Sequence, residues 1–163
     1  TEVGFSARHL AIRKAKGKFE RSNGTFATAE NPLDSSAEAN VEVASINTNQ
    51  ADRDGHLRTG DFFAAEEFPE FTFKSNGVRQ NGSDFAIDGD LTLRGVTKPV
   101  TFDFEFGGFG TMGDTYKAGF TAKTVVKRED YGIQWNAPLE TGGLLLGSDV
   151  TITLDVQAAL VQD

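Results

Sequence analysis

Apolar and polar residues alternate along most of this chain, the period-two pattern of half-buried strands. Val100, Phe102, Phe104 and Phe106 alternate with Thr101, Asp103 and Glu105. Val150, Ile152, Leu154 and Val156 alternate with Thr151, Thr153 and Asp155. Phe85, Ile87, Leu91 and Leu93 share one face of 84–94, opposite Asp88, Asp90 and Thr92. Ala37, Ala39, Val41 and Val43 repeat the pattern, and Tyr116, Ala118, Phe120 and Ala122 give a longer version with smaller residues. Phe71 and Phe73, then Val3, Phe5 and Ala7, mark two more strands, and 17–28 around Phe19 and Phe26 completes about eight.

Asn23-Gly24, Asn76-Gly77 and Asn81-Gly82 read as tight hairpin turns, because these dipeptides accept positive φ. Gly107-Gly108-Phe109-Gly110 reads as another connection. Only 50–63 reads as helical, capped by Thr48 or Asn49 and ended by Gly60, with 8–16 as a candidate second helical turn. Every strand has one apolar and one polar face, and there are too few helices to cover an open sheet. The pattern therefore predicts an all-β fold. It is an extended eight-stranded antiparallel barrel, apolar face inward, with one or two short helices, in a single domain over 1–163.

A barrel of eight strands is either filled by its own side chains or holds one small ligand. Fourteen Phe against one Trp and two Tyr suit a dry interior of either kind. Ala118, Gly119 and Ala122 would leave space opposite the Phe-bearing strands. The candidate apolar lining is Phe5, Phe71, Phe73, Phe85, Ile87, Leu91, Leu93, Val100, Phe102, Phe104, Phe106, Phe120, Ile152 and Leu154. Nothing on these faces pairs with a buried polar atom, so such a cavity would favour a long hydrocarbon.

Charge and composition narrow the partners. The net charge of −8 argues against nucleic acid, whose binding rests on phosphate neutralisation. No run approaches a membrane span of roughly 18 apolar residues. Without Cys there is no disulfide, thiolate ligand or thiol nucleophile. Arg8, Arg13, Lys14, Lys16, Lys18 and Arg21 crowd 8–21 with Glu20 as the sole acid. That cluster either rims a barrel mouth and holds an anionic head such as diphosphate, or is a solvated strand. The chain opens at Thr1 without Met, part-way into a strand, as a trimmed segment would. Nothing demands oxidising conditions, which favours the cytoplasm and leaves export open. A homodimer is also open.

Motifs that resemble chemistry have plainer readings. Gly108–Gly113 fits GxGxxG, but an alternating strand follows where a dinucleotide site needs a helix. Asp52, Asp54, His56 and Asp61 lack the spacing of a calcium loop, and His9 is the only other imidazole. Ser148 has no nucleophile elbow around it. No catalytic residue, metal or cofactor is assigned. An enzyme acting on a lipid or sugar would have to draw on 52–61 with His9, and a filled-core barrel with a structural or stress-related role is the other alternative.

Several segments, in order and spacing, carry a family resemblance. They are Val3-Gly4-Phe5-Ser6-Ala7-Arg8-His9, Gly17-Lys18-Phe19, Ala44-Ser45-Ile46-Asn47-Thr48 and Arg53-Asp54-Gly55-His56-Leu57 with Asp61-Phe62-Phe63. After them come Pro69-Glu70-Phe71-Thr72-Phe73, Gly89-Asp90-Leu91-Thr92-Leu93-Arg94-Gly95-Val96-Thr97 and Lys127-Arg128-Glu129-Asp130-Tyr131-Gly132. Together they resemble the YceI-like family of lipocalin-like polyisoprenoid-binding proteins, over nearly the whole chain. The resemblance implies an elongated internal pocket that takes a polyisoprenoid or similar amphiphile lengthwise (prenyl quinone, polyprenyl phosphate, fatty acid or amide), for transport, storage or protection. Arg8, His9, Arg53 or His56 would then lie near its polar head. Ala64 departs from the family, where many members carry Asp.

Overall fold

The structure is a computed structural model that describes residues 2–9, 13–27, 32–82, 84–112, 115–134 and 146–159. Its strands are β1 (Glu2–His9), β2 (Arg13–Phe19), β3 (Ser22–Ala27), β4 (Ser36–Glu42), β5 (Ile46–Asn47), β6 (Glu70–Asn81), β7 (Asp84–Leu93), β8 (Val96–Met112), β9 (Thr115–Lys127) and β10 (Leu146–Ala159). One α-helix, α1 (Ala51–Leu57), joins three 3-10 turns at Pro32–Asp34, Val43–Ser45 and Arg128–Tyr131. The strands form one strongly curled antiparallel sheet, in the order β3-β4-β6-β7-β8-β9-β10-β1-β2-β5.

Ten strands stand where the pattern predicts eight, because two long strands are each interrupted. Only Glu20 and Arg21 separate β2 from β3, and only the turn Val43–Ser45 separates β4 from β5. The two breaks face each other. Glu20 N–H donates to Ser45 O (3.1 Å), and Glu42 N–H donates to Arg21 O (3.0 Å). The Ser45 hydroxyl fills the remaining gap, accepting from Arg21 N–H (3.0 Å) and donating to Glu42 O (2.6 Å). The sheet ends β3 and β5 thus continue β2 and β4, and the curl meets itself at this corner.

Several local expectations are corrected. Residues 8–9 and 13–16 are strand, not a second helical turn. Asn23-Gly24 lies inside β3, paired with Asn40 and Ala39. Asn76-Gly77 lies inside β6, at a register shift between Ser75 and Gly77 that makes Asn76 a bulge. Gly107–Gly110 lies within β8, where a second bulge falls between Phe106 and Gly108. Only Asn81-Gly82 turns the chain: Asn81 pairs with Asp84, and Gly82 takes φ +65°. Among the described residues Arg94-Gly95 makes a further tight hairpin, with φ of +53° and +74° between paired Leu93 and Val96. Pro99 costs the sheet nothing, because β8 pairs with β7 there and its pairing with β9 begins at Asp103.

The helix is shorter than the pattern suggests. Its N-cap is Gln50, with no side-chain cap, and Asp54 reaches back instead to accept from Thr48 N–H (2.9 Å) and Thr48 Oγ1 (2.5 Å). Residues 58–68 then turn repeatedly on their own backbone, with Ala64 buried at φ +49°. Asp or Asn would occupy that left-handed position with less strain than Ala.

The inward faces form one buried cluster. It includes Val3, Phe19, Val41, Phe71, Phe73, Ile87, Leu91, Leu93, Phe102, Phe104, Ala122 and Ile152. Phe73 packs edge-on to Phe102 with ring centroids 4.9 Å apart, and Phe19 to Phe71 at 5.0 Å. Ala122 sits opposite Phe104 and Leu154, so this small residue accommodates larger neighbours rather than opening space. Gly17 does the same for Phe5: a Cβ there would lie 2.6 Å from the Phe5 ring.

The outer face carries a charge network. Arg79 holds the Asp88 carboxylate through two bonds (2.6 and 3.0 Å), and the Thr101 hydroxyl adds a third (2.6 Å). These bonds, Arg79's first, pull the Asp88 pKa down to about 2. A depressed carboxylate adds stability above its unfolded value near 4, and loses it as pH falls towards 2. Arg79→Ala should flatten the stability-versus-pH curve between about pH 4 and 2. The pair is solvent-facing and screened by water and salt, so the effect should be small. Urea midpoints of both proteins across that window provide the check. An unchanged slope contradicts the assignment.

Candidate functional site

Antiparallel order divides the barrel into two ends. The connections β1–β2, β5–β6, β7–β8 and β9–β10 fall at one, which carries α1. The connections β3–β4, β6–β7 and β8–β9 fall at the other.

Inside the barrel, toward the α1 end, lies a void of about 50 Å³. Its walls include Phe5 of β1, Phe19 of β2, Phe71 of β6, Leu91 and Leu93 of β7, Val126 of β9, and Val150 and Ile152 of β10. Phe63 and Ile133 close it from the capping segments. Phe19 is its hub, with ring centroids 5.6 Å from Phe5, 5.8 Å from Phe63 and 5.0 Å from Phe71. No polar atom is exposed to the void. Arg128 borders it but turns its guanidinium to main-chain oxygens, donating to Gly147 O (2.9 Å) and Ile133 O (3.0 Å). A space this small holds a few water-sized groups, so any chain entering it must displace side chains. Phe5 and Phe63 are the partly buried rings at its border.

Of the residues expected to line a pocket, Phe5, Phe71, Leu91, Leu93 and Ile152 border the void. Phe73, Ile87, Phe102 and Phe104 belong to the buried cluster, with Phe85, Val100 and Leu154 packed against it. The side chains of Phe106 and Phe120 lie outside the described residues. Phe63, Val126, Ile133 and Val150 border the void although none was among the expected lining. Val150 already belongs to the alternation of 150–156, and extending the period of 116–122 reaches Val126. Phe63 and Ile133 sit in turns, which no period reaches.

Arg8, His9, Arg53 and His56 all fall at the α1 end. Arg8 stands at a bulge of β1 against β10, and its side chain and that of His9 lie outside the described residues. Arg53 donates to Thr48 Oγ1 and Thr48 O, both at 2.9 Å. His56 Nε2 sits 2.9 Å from Asp61 Oδ2, and its ring packs edge-on to Phe62. Neither borders the void.

The cap is fastened by arginines, a feature absent from the expected site. Arg58 donates to Ala44 O (3.0 Å) and Ile46 O (3.2 Å), tying the residues after α1 to the β4–β5 corner. Arg94 donates to Gly60 O (2.7 Å) and to Gly132 O, joining the β7–β8 hairpin to both capping segments. Its Nε is a buried nitrogen without a hydrogen-bond partner. Arg128 ties Ile133 to the start of β10. Below it Tyr131 is 2 % exposed, and burial pushes its phenol up to about 12.

No three His, Asp or Glu side chains converge as metal ligands among the described residues. No described helix is long and apolar enough to cross a membrane.

The YceI-like domain family matches residues 1–158. The chain belongs to the YceI-like family. A UPF0312 protein of Staphylococcus aureus (strain N315) is 38% identical over 153 residues, covering 92% of this chain and 87% of that protein. Among solved structures, the Campylobacter jejuni YCEI protein superposes with a TM-score of 0.78 at 26% identity, over 95% of this chain and 90% of its own. BcnA of Burkholderia cenocepacia gives 0.84 at 19% identity, over 96% and 95%. A polyisoprenoid binding domain from Saccharophagus degradans, implicated in plant cell wall breakdown, gives 0.67 at 15% identity, over 96% and 91%. The YceI fold of this chain is thus shared with a polyisoprenoid binding domain.

Proposed function

We propose that this protein binds one long-chain lipid, a polyisoprenoid or a similar amphiphile, inside the barrel and shields its hydrocarbon from water. The observation that carries the reading is the void toward the α1 end, walled by carbon with no polar atom exposed to it. Hydrocarbon entering it gains about 0.8 kcal/mol per buried methylene and leaves no polar group unpaired. The fold shared with a polyisoprenoid binding domain supports the same class of ligand. The end of the chain takes its place there as the Phe5 and Phe63 rings shift. Carriage, storage and protection of the lipid all follow from such shielding.

A catalytic role draws no support from the described interior. Asp54, the buried acid near α1, is committed to Thr48, and Tyr131 stays protonated far above neutral pH. A fluorescent long-chain fatty acid, titrated with the protein and competed by a polyprenol or a prenyl quinone, tests the reading. Saturation at one probe per chain with displacement by the prenyl lipid is expected. A probe that stays in bulk water at every protein concentration contradicts it.

A further inference from the structure

We propose that the bound lipid lies with its apolar terminus against the α1 end and its polar head toward the opposite end, so that the α1 end is the closed bottom of the site. This rests on the lipid-binding reading and adds the direction of the ligand.

Three observations converge. The void lies under the cap, and Phe63 and Ile133, both capping residues, form part of its wall. A carboxylate, phosphate or quinone oxygen brought there would lose its water and meet only carbon, at a cost of several kcal/mol. A methyl end loses nothing.

Four described arginines of the cap are committed elsewhere. Arg53, Arg58, Arg94 and Arg128 each donate two hydrogen bonds to main-chain or hydroxyl oxygens of the cap and its rim. The Arg94 nitrogen left over belongs to a residue outside the void's wall. Arg128, the charged residue that does border the void, points its guanidinium at Gly147 and Ile133.

The cap is also fastened at many points. Arg94 alone joins three separate segments, the β7–β8 hairpin, Gly60 and Gly132. Residues 62–68 add six backbone bonds within 57–68: Phe62 to Thr59, Phe63 to Leu57, Ala64 to Thr59, Ala65 to Arg58, and both Glu67 and Phe68 to Ala64. Letting a lipid pass through this end would break several charge-assisted bonds together, whereas a tail seated beneath it breaks none. The head group is therefore held away from Arg53 and His56.

Two stearate probes decide the direction, one with a nitroxide near the methyl end and one with it near the carboxylate. Amide NMR signals are compared before and after the nitroxide is reduced. The methyl-end label is expected to broaden the amides of Phe63, Val126 and Ile133 several-fold more than those of Gly82 and Thr115. The carboxylate-end label is expected to do the reverse. A swapped pattern, or equal broadening at both ends by each probe, overturns the direction and leaves lipid binding intact. Broadening at neither end contradicts lipid binding itself. One variant tests the bottom of the site. Val126→Phe fills the void and should shift the preferred acyl chain to shorter lengths. An unchanged preference with the variant folded argues that the tail ends elsewhere.

Discussion

Phe19→Ala is expected to lower the free energy of unfolding by about 3–5 kcal/mol, the cost of emptying a well-packed aromatic site. Phe19 is 5% exposed and touches three other rings, so no neighbour collapses into its place without losing its own contacts. Lost ring-on-ring contacts add to lost burial. The same substitution widens the void that Phe19 borders. The variant should therefore be less stable and yet retain uptake of a long-chain lipid, and saturating lipid should restore part of the loss. A ligand at a hundred times its Kd returns about 2.7 kcal/mol. Urea unfolding with and without a polyprenol measures both effects. A loss below about 1 kcal/mol would place Phe19 outside the packed core, and a loss that lipid leaves untouched would place the lipid outside the void.

Arg128→Met is expected to destabilise by about 2–5 kcal/mol although methionine fills much of the same space. Arg128 is 6% exposed, and its donors serve Gly147 O and Ile133 O. Methionine leaves both carbonyls without that partner, each costing about 1–3 kcal/mol where water does not reach. Arg128→Lys should recover less than half, because a single ammonium does not span two carbonyls as the guanidinium fork does. Equal stability of the Met variant and the parent would show that burial of the charge offsets its bonds, as happens where an apolar isostere replaces a buried ion. Thermal unfolding of the three proteins at one pH separates these outcomes.

The strands were legible wherever one face is buried and the other wet. The inward residues of β7, β8 and the first half of β10 follow the alternation closely, because a one-residue slip would turn them to solvent. The turn signals were weaker. Asn23-Gly24 and Asn76-Gly77 carry hairpin chemistry, yet pairing with β4 and β7 holds them in strands, one of them as a bulge. The breaks at 20–21 and 43–45 were invisible, since they are set by each other across the corner and not by local preference. The lining was half legible. Phe71, Leu91 and Ile152 follow from period two, whereas Phe63 and Ile133 reach the void from turns. The arginine fastening could not be read at all. Arg94 meets Gly60 and Gly132, positions far apart along the chain that only the folded barrel brings together.

The account stands or falls on what the interior holds. Native mass spectrometry of the purified protein, followed by organic extraction and identification of anything released, measures this directly. One hydrophobic molecule per chain, present as purified or gained on adding a polyprenyl lipid, is the expected result. A bare mass that gains none of the added lipid would contradict the account and leave a barrel whose interior serves only as its core.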